Sequence, residues 1–270
     1  MSRYASMFRR LGNESAFGAF AMLGDPDLDQ SPAILDALVE GGADMIEVGI
    51  PFSDPVADGP TIQAAADRAL RQGVTPGDCF GLLAAFRARH PDVPVGVLTY
   101  ANLVLARGRD SFYRHCAEAG VDSVLVADAP VFEAGPFVAS ARAHAIAPVL
   151  IAAPNTQRDT LKRMAEMGEG YTYCVARAGV TGAETELRLD HGELFRRLAD
   201  YGAPPPVLGF GISRPEHVRI ATAAGARGVI SGSAIVDIVA RDDDPLPALR
   251  RFVRRMKAAH SERSAEVEVA

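Results

Sequence analysis

Lysine is nearly absent from this chain. Of 270 residues only Lys162 and Lys257 carry a side-chain amine, and both fall in stretches with helical spacing rather than at the end of an apolar strand. An imine to a substrate carbonyl, or a covalently held pyridoxal phosphate, needs a lysine aimed into a site, so neither is expected here. Cysteine is also scarce. Cys79, Cys116 and Cys174 are odd in number and far apart, which fits reduced, buried thiols and not a disulfide framework or a zinc site. The six histidines show no ligand spacing, and no metal is expected. No run of about 18 apolar residues, the length of a membrane helix, is present. The N-terminal segment has no apolar signal core, and a cytoplasmic address is expected. Basic charge is not in excess either: the net charge is −6, which argues against a nucleic-acid partner. The Arg-rich segment Arg250–Arg255 carries apolar residues at helical spacing (Leu246, Leu249, Phe252, Val253, Met256) and reads as a terminal helix with a solvated basic face.

What is present is a large apolar core and a regular alternation. Hydrophobic residues make up 48% and charged residues 23% of the chain, ordinary for a globular enzyme. Short β-rich runs are expected near Phe17–Met22, Asp44–Val48, Val95–Thr99, Ser123–Ala127, Val149–Ala152, Tyr171–Val175, Val207–Phe210 and Gly228–Ile230. Amphipathic helical stretches separate them, among them Thr61–Arg71, Pro76–Arg89, Phe132–His144, His191–Tyr201 and Ala234–Ala240. Three segments share one grammar: Gly42-Ala-Asp-Met-Ile-Glu-Val-Gly49, Gly120-Val-Asp-Ser-Val-Leu-Val-Ala127 and Gly225-Ala-Arg-Gly-Val-Ile-Ser-Gly232. In each, a glycine ends a helix in the left-handed conformation and an apolar strand follows. Continuous apolar strands between helices imply a covered parallel sheet. Eight such units over this length fit a single α/β domain, a (β/α)8 TIM barrel spanning residues 1–270, with the last ten or so residues a disordered tail. An open doubly wound sheet is the alternative, but no Gly-x-Gly-x-x-Gly turn follows the first strand.

Three constellations can carry chemistry. Glu47 interrupts the apolar run Met45-Ile46-Glu47-Val48 where a buried strand ends. Period-2 alternation puts Met45, Glu47 and Gly49 on one face and Ile46 and Val48 on the other. A carboxylate there is costly to desolvate and suits acid–base work with a raised pKa, although one satisfied by backbone donors would serve structure alone. Asp54 and Asp58 share the Pro- and Gly-rich loop that follows, where each alone is ordinary turn chemistry; the company of Glu47 makes Asp58 a site candidate. Next, Ala176-Arg-Ala-Gly-Val-Thr-Gly182 leads into a polar run and has the composition of a lid hinged near Gly179 and Gly182, or of a plain long loop. Last, Gly209-Phe-Gly-Ile-Ser213 and Ser231-Gly-Ser233 follow the last two strands, where barrels bind phosphate, with Ser233 placed to cap a helix from Ala234.

Together with Leu23-Gly-Asp-Pro26, Tyr100-Ala-Asn102, Gly170-Tyr-Thr-Tyr173 and Ile230-Ser-Gly-Ser-Ala234, the segment Pro51-Phe-Ser-Asp-Pro-Val-Ala-Asp-Gly-Pro60 resembles the α-subunit family of tryptophan synthase. The motifs span almost the whole chain. The resemblance implies a TIM barrel with an extra N-terminal helix and a short phosphate-binding helix after the eighth strand. It implies cleavage of indole-3-glycerol phosphate to indole and glyceraldehyde 3-phosphate, in an αββα complex whose pyridoxal phosphate belongs to the β subunit. Matched position by position, it implies Glu47 as the principal acid–base residue and Asp58 as the second carboxylate. Gly182, Gly211, Gly232 and Ser233 match the phosphate-binding positions. Phe20, Leu98, Tyr100, Leu125, Ala127, Ile151, Tyr173 and Phe210 match the indole pocket and its walls. Thr181 matches the lid residue that closes onto Asp58, and Asp54, Pro55 and Asn102 lie where the family meets its β partner.

A proton donor and an anion in one site need different pKa values, which burial of one carboxylate and solvation of the other would supply. Gly18-Ala19, Met22, Ala152-Ala153, Ala176 and Ala178 depart from the residues usual in the family and bear on packing beneath the site and on the lid. A stand-alone indole-releasing lyase and a non-catalytic allosteric partner of β remain alternative readings. A phosphate-binding epimerase or an indole-glycerol-phosphate synthase would want metal ligands or strand-end lysines, which are missing.

Overall fold

The computed structural model describes residues 1–175 and 191–259. The expected lid, with Thr181 and Gly182, and the expected tail lie outside them. The chain begins with helix α1 (Arg3–Leu11), whose N-terminus is capped by Ser2 Oγ accepting from the Ala5 N–H. Strands and helices then alternate: β1 (Ala16–Met22), α2 (Ser31–Glu40), β2 (Met45–Gly49), α3 (Pro60–Arg71), α4 (Pro76–Arg89), β3 (Val95–Thr99), α5 (Ala101–Leu105), α6 (Arg109–Glu118), β4 (Ser123–Val126) and α7 (Gly135–Ala143). The second half holds β5 (Ala147–Pro148), β6 (Leu150–Ala152), α8 (Arg158–Met167), β7 (Thr172–Val175), α9 (Gly192–Asp200), β8 (Pro206–Gly209), α10 (Pro215–Ala223), β9 (Gly228–Ser231), α11 (Ser233–Arg241) and α12 (Pro245–Ala258).

All pairings are parallel, in the order β5-β4-β3-β2-β1-β9-β8-β7-β6. The two ends of this list, β5 and β6, are halves of one strand interrupted at Val149. Its first half pairs with β4 and its second with β7, and the Val149 N–H still reaches the Val124 carbonyl at 3.0 Å. The nine segments therefore close an eight-stranded TIM barrel. The expected fifth strand, Val149–Ala152, covered only part of this strand, because Pro148 punctuates a segment that changes partners there.

Period-2 alternation sorts the core into two layers. Ile46 and Val48 pack with Leu35, Leu83 and Phe86 of the surrounding helices. Met45, Phe20, Tyr173, Val207 and Ile230 fill the barrel itself, together with Tyr4, Met7 and Leu11 of α1. The helix α1 plugs the end where strands begin: Tyr4 Oη and Ser123 Oγ lie 2.8 Å apart, and the Tyr4 ring meets Tyr171 at 5.3 Å. Gly42, Gly120 and Gly225, which lead from helix to strand, adopt φ of 102°, 75° and 106°, the conformation read from their sequence grammar.

Other boundaries shift for local reasons. The short α5, five residues directly after a strand, carries no readable helical period. α7 starts at Gly135 rather than Phe132, which stands exposed in the preceding loop. α11 starts at Ser233 itself, with Gly232 as its N-cap and no side-chain cap bond. Ser233 is therefore not the cap expected for a helix from Ala234; the turn out of β9 is completed one residue earlier.

Gly18 lies directly opposite Met45 of β2 and Ile230 of β9. A Cβ on it would stand 2.7 Å from Ile230 Cγ1 and 2.9 Å from Met45 Cε, so these two larger side chains occupy the space that a branched residue would need. Gly18→Val is expected to cost about 1–3 kcal/mol through overpacking. A Gly18→Val/Ile230→Ala double variant should lose less than the sum of its single variants. Urea unfolding checks both; a single variant as stable as the parent would show that this space is not filled.

Candidate active site

Function in such barrels gathers where strands end, and the end opposite α1 holds a cavity of about 380 Å³. Nine of the expected residues line it: Phe20, Glu47, Asp58, Leu98, Tyr173, Phe210, Gly211, Gly232 and Ser233. Tyr100 reaches it through Asp58. Leu125 is buried in the barrel interior. Ala127 and Ile151 border instead a separate cavity of about 300 Å³ beside β4 and β6, with Tyr113 and Phe137.

Glu47 projects inward from β2 and is only 3% exposed. Tyr171 Oη, across the barrel, donates to its Oε1 at 2.8 Å. Burial first raises its pKa, the Tyr171 hydrogen bond opposes this, and the charge of Asp58 adds to it; the result is about 7, from an ordinary 4.5. The carboxyl is thus poised to hold or release a proton near neutrality.

Asp58 ends the loop before α3. It is 7% exposed and accepts from Tyr100 Oη at 2.8 Å. Burial raises its pKa as well, against the lowering effect of that hydrogen bond. The expected contrast between a buried and a solvated carboxylate is therefore replaced by two buried ones. What separates them is depth and support: Asp58 directly precedes the Gly59 N-cap of α3, where the helix dipole favours an anion. Tyr100 Oη also accepts from the Ala57 N–H at 3.3 Å, and its ring stacks on Phe52 at 5.3 Å. One tyrosine thus fixes both Asp58 and the loop that carries it.

At the far side of the cavity, Phe210 and Gly211 leave β8 with φ of 67° and 74°. For a bulky residue this conformation is strained, of order 1–3 kcal/mol. It turns the chain sharply, so that Phe210 meets Tyr173 edge-on at 5.8 Å and both it and Gly211 border the cavity. Gly232 and Ser233 follow the neighbouring strand β9, at the start of α11, whose N-terminal N–H groups suit an oxyanion.

Sequence reasoning missed Tyr171, Ile62, Arg214, His217 and Asp237. Tyr171 shares the inward face of Tyr173 by simple alternation, a signal that was available; the others sit on helices and turns whose facing only the closed barrel defines. Neither lysine borders the cavity: Lys162 lies on α8 and Lys257 pairs with Asp44 beside α12.

The matching family model is the tryptophan synthase alpha chain, over residues 8–265. The chain belongs to that family. It is 56% identical over 265 residues to the tryptophan synthase alpha chain of Klebsiella pneumoniae, covering 96% of this chain and 98% of that one. Against the alpha chain of Shewanella amazonensis the identity is 53%, covering 96% and 100%. Among solved structures, Mycobacterium tuberculosis tryptophan synthase is 33% identical with a TM-score of 0.86, over 96% of this chain and 98% of that one. A chain from the tryptophan synthase α2β2 complex of Pyrococcus furiosus is 35% identical with a TM-score of 0.81, over 91% and 98%.

Glu47 should carry a cost in stability. A carboxyl whose folded pKa is near 7, against 4.5 otherwise, keeps its proton on folding, so stability falls as pH rises from about 4.5 through 7. The ionised form costs on the order of 3 kcal/mol. Glu47→Gln is expected to be more stable than the parent at pH 8 by up to that amount, with the gap shrinking below pH 5. Urea titrations at the two pH values check this; a gap independent of pH would remove burial as the cause.

Proposed function

We propose that Glu47 and Asp58 perform the tryptophan synthase α reaction in this chain, the cleavage of indole-3-glycerol phosphate to indole and glyceraldehyde 3-phosphate. The observation that carries this assignment is a pair of buried carboxylates, each held by a neutral phenol, in one cavity with the glycine turns after β8 and β9. Breaking the bond between indole C3 and the glycerol carbon is a retro-aldol step. Protonated Glu47 gives its proton to C3, so that the ring becomes the electron acceptor; the carboxylate then takes the proton of the adjacent hydroxyl as the carbonyl forms and the C–C bond opens. Asp58, as an anion, accepts a hydrogen bond from the indole N–H and stabilises the positive charge that develops there. Phe20, Leu98, Tyr173 and Phe210 form apolar walls for the ring, and Gly211, Gly232 and Ser233 the phosphate end. Leu125 lies beneath the indole wall, Ala127 and Ile151 back it from the barrel-interior cluster that they pack against, and Thr181 and Gly182 supply the lid in this reading.

The protein works with a β subunit that carries pyridoxal phosphate and takes up the indole. Asp54 and Asn102 are exposed at the same end of the barrel as the cavity and Pro55 is half-buried. Val56 and Phe132, both 69% exposed, and Leu105 stand on the neighbouring loops after β2, β3 and β4. Together they make an apolar rim fit for a protein partner. No helix among the described residues is long and apolar enough to cross a membrane, and a cytoplasmic site of action belongs to this reading.

Indole release by the purified chain, with and without a β subunit, tests the assignment. β should raise the rate strongly; no rise and no binding would favour a stand-alone lyase. Glu47→Gln is expected to abolish cleavage while substrate still binds, and Asp58→Asn to lower it by roughly 10²-fold or more. Wild-type rates in either variant would remove that residue from the chemistry.

A further inference from the structure

The cavity has an imbalance of charge. Three carboxylates border it, Glu47, Asp58 and Asp237, and a phosphate monoester would bring up to two further negative charges. Among the described residues at its edge the cation is Arg214, in the turn between Ser213 and α10. Asp237 is offset by Arg241 at 3.6 Å, one turn along α11. The N-terminus of α11 supplies partial charge only, about half a unit.

Arg214 is also aimed. Its Nε and Nη2 lie 3.3 Å and 3.1 Å from Nε2 of His217, the residue one helical turn along, which borders the cavity too. A guanidinium can only donate, so Nε2 accepts, while Nδ1 lies 3.3 Å from the Ser213 backbone N and the ring also meets the Gly211 backbone. His217 is buried, and burial first, then the charge of Arg214, holds its pKa below the usual histidine value. A neutral ring fixed against the glycine turn thus steers the guanidinium.

We propose that Arg214, steered by His217, is a phosphate-binding residue of this chain and supplies the full positive charge that the backbone donors around Gly211, Gly232 and Ser233 lack. The proposal rests on the substrate reading above and names a further group at its phosphate end. Arg214 selects for the phosphorylated substrate and takes no part in bond breaking.

The experiment uses the αβ complex with Arg214→Ala, Arg214→Lys and His217→Ala. Arg214→Ala is expected to raise KM for indole-3-glycerol phosphate about tenfold, the worth of one charge-assisted hydrogen bond, with kcat changed less than twofold. Competitive inhibition by inorganic phosphate should weaken by a similar factor. Arg214→Lys should recover part of the loss, and His217→Ala should show a smaller rise in KM of the same kind. With indole glycerol, which lacks the phosphate, the penalty for Arg214→Ala should vanish. An equal penalty on both substrates, or unchanged KM and phosphate inhibition, would overturn the proposal. A parent protein that cleaves nothing, yet binds inorganic phosphate less tightly once Arg214 is removed, would retire the lyase reading and leave this one standing.

Discussion

The hydrogen bond from Tyr171 to Glu47 spans the interior of the barrel and sets the terms for everything above it. Both groups are buried, and the donor is a neutral phenol rather than a cation. A phenol can satisfy one oxygen of the carboxyl without compelling it to ionise, so burial dominates and the proton is retained near neutrality. An arginine in place of Tyr171 would lower the pKa and end the role of Glu47 as an acid. The bond also ties the site to the opposite end of the fold, because Tyr171 packs on Tyr4 of the plug helix and Tyr4 lies against Ser123. The N-terminal helix is thus the floor on which the phenol that holds Glu47 rests.

Buried carboxylates inside and outside the cavity are treated in opposite ways. Where strands begin, Asp122 meets Arg3 and Arg87, and Asp44 meets Arg10 and Lys257 while accepting from the Phe17 N–H. Asp25, which follows the end of β1 but does not line the cavity, is clasped by Arg68 through two bonds of 2.7 and 2.8 Å. These acids are compensated and hold loops and helices in place. Where strands end, Glu47 and Asp58 receive phenols alone among the described residues. Uncompensated burial raises the energy of the charged form, which is unhelpful for stability and useful for proton transfer.

How much of this could be read from the chain depends on the range of each interaction. Glu47 was legible because a charge interrupts an apolar run and alternation fixes its face. The helix-ending glycines were legible because their conformation is local. Asp58 was ambiguous, since aspartate beside proline and glycine is normal turn chemistry and its tyrosine lies 42 residues away. Tyr171 reads as one more aromatic in a strand until the barrel closes and brings it to Glu47, 124 residues away. Strand five was misjudged for the same reason: its split records two different neighbours. Gly18 stands in the sequence as a departure from the residue usual in the family, with nothing nearby to say what takes up its space. Met45 and Ile230 fill the space instead, a compensation between three strands that no single segment displays.

Tyr100 joins Asp58 to the exposed turn that precedes it. Its hydroxyl donates to Asp58 and accepts from the Ala57 N–H, while its ring stacks on Phe52. Between Phe52 and Ala57 lie the exposed Asp54 and Val56 and the half-buried Pro55. A subunit that bore on this turn would bear on a group one hydrogen bond from Asp58, since moving the Ala57 N–H alters how freely the phenol can donate to that carboxylate. Because Asp58 is buried, its ionised form depends heavily on that one donor and on the start of α3. The segment that reads in the chain as two acids around a proline turn is, in three dimensions, a buried carboxylate and an exposed turn sharing one tyrosine.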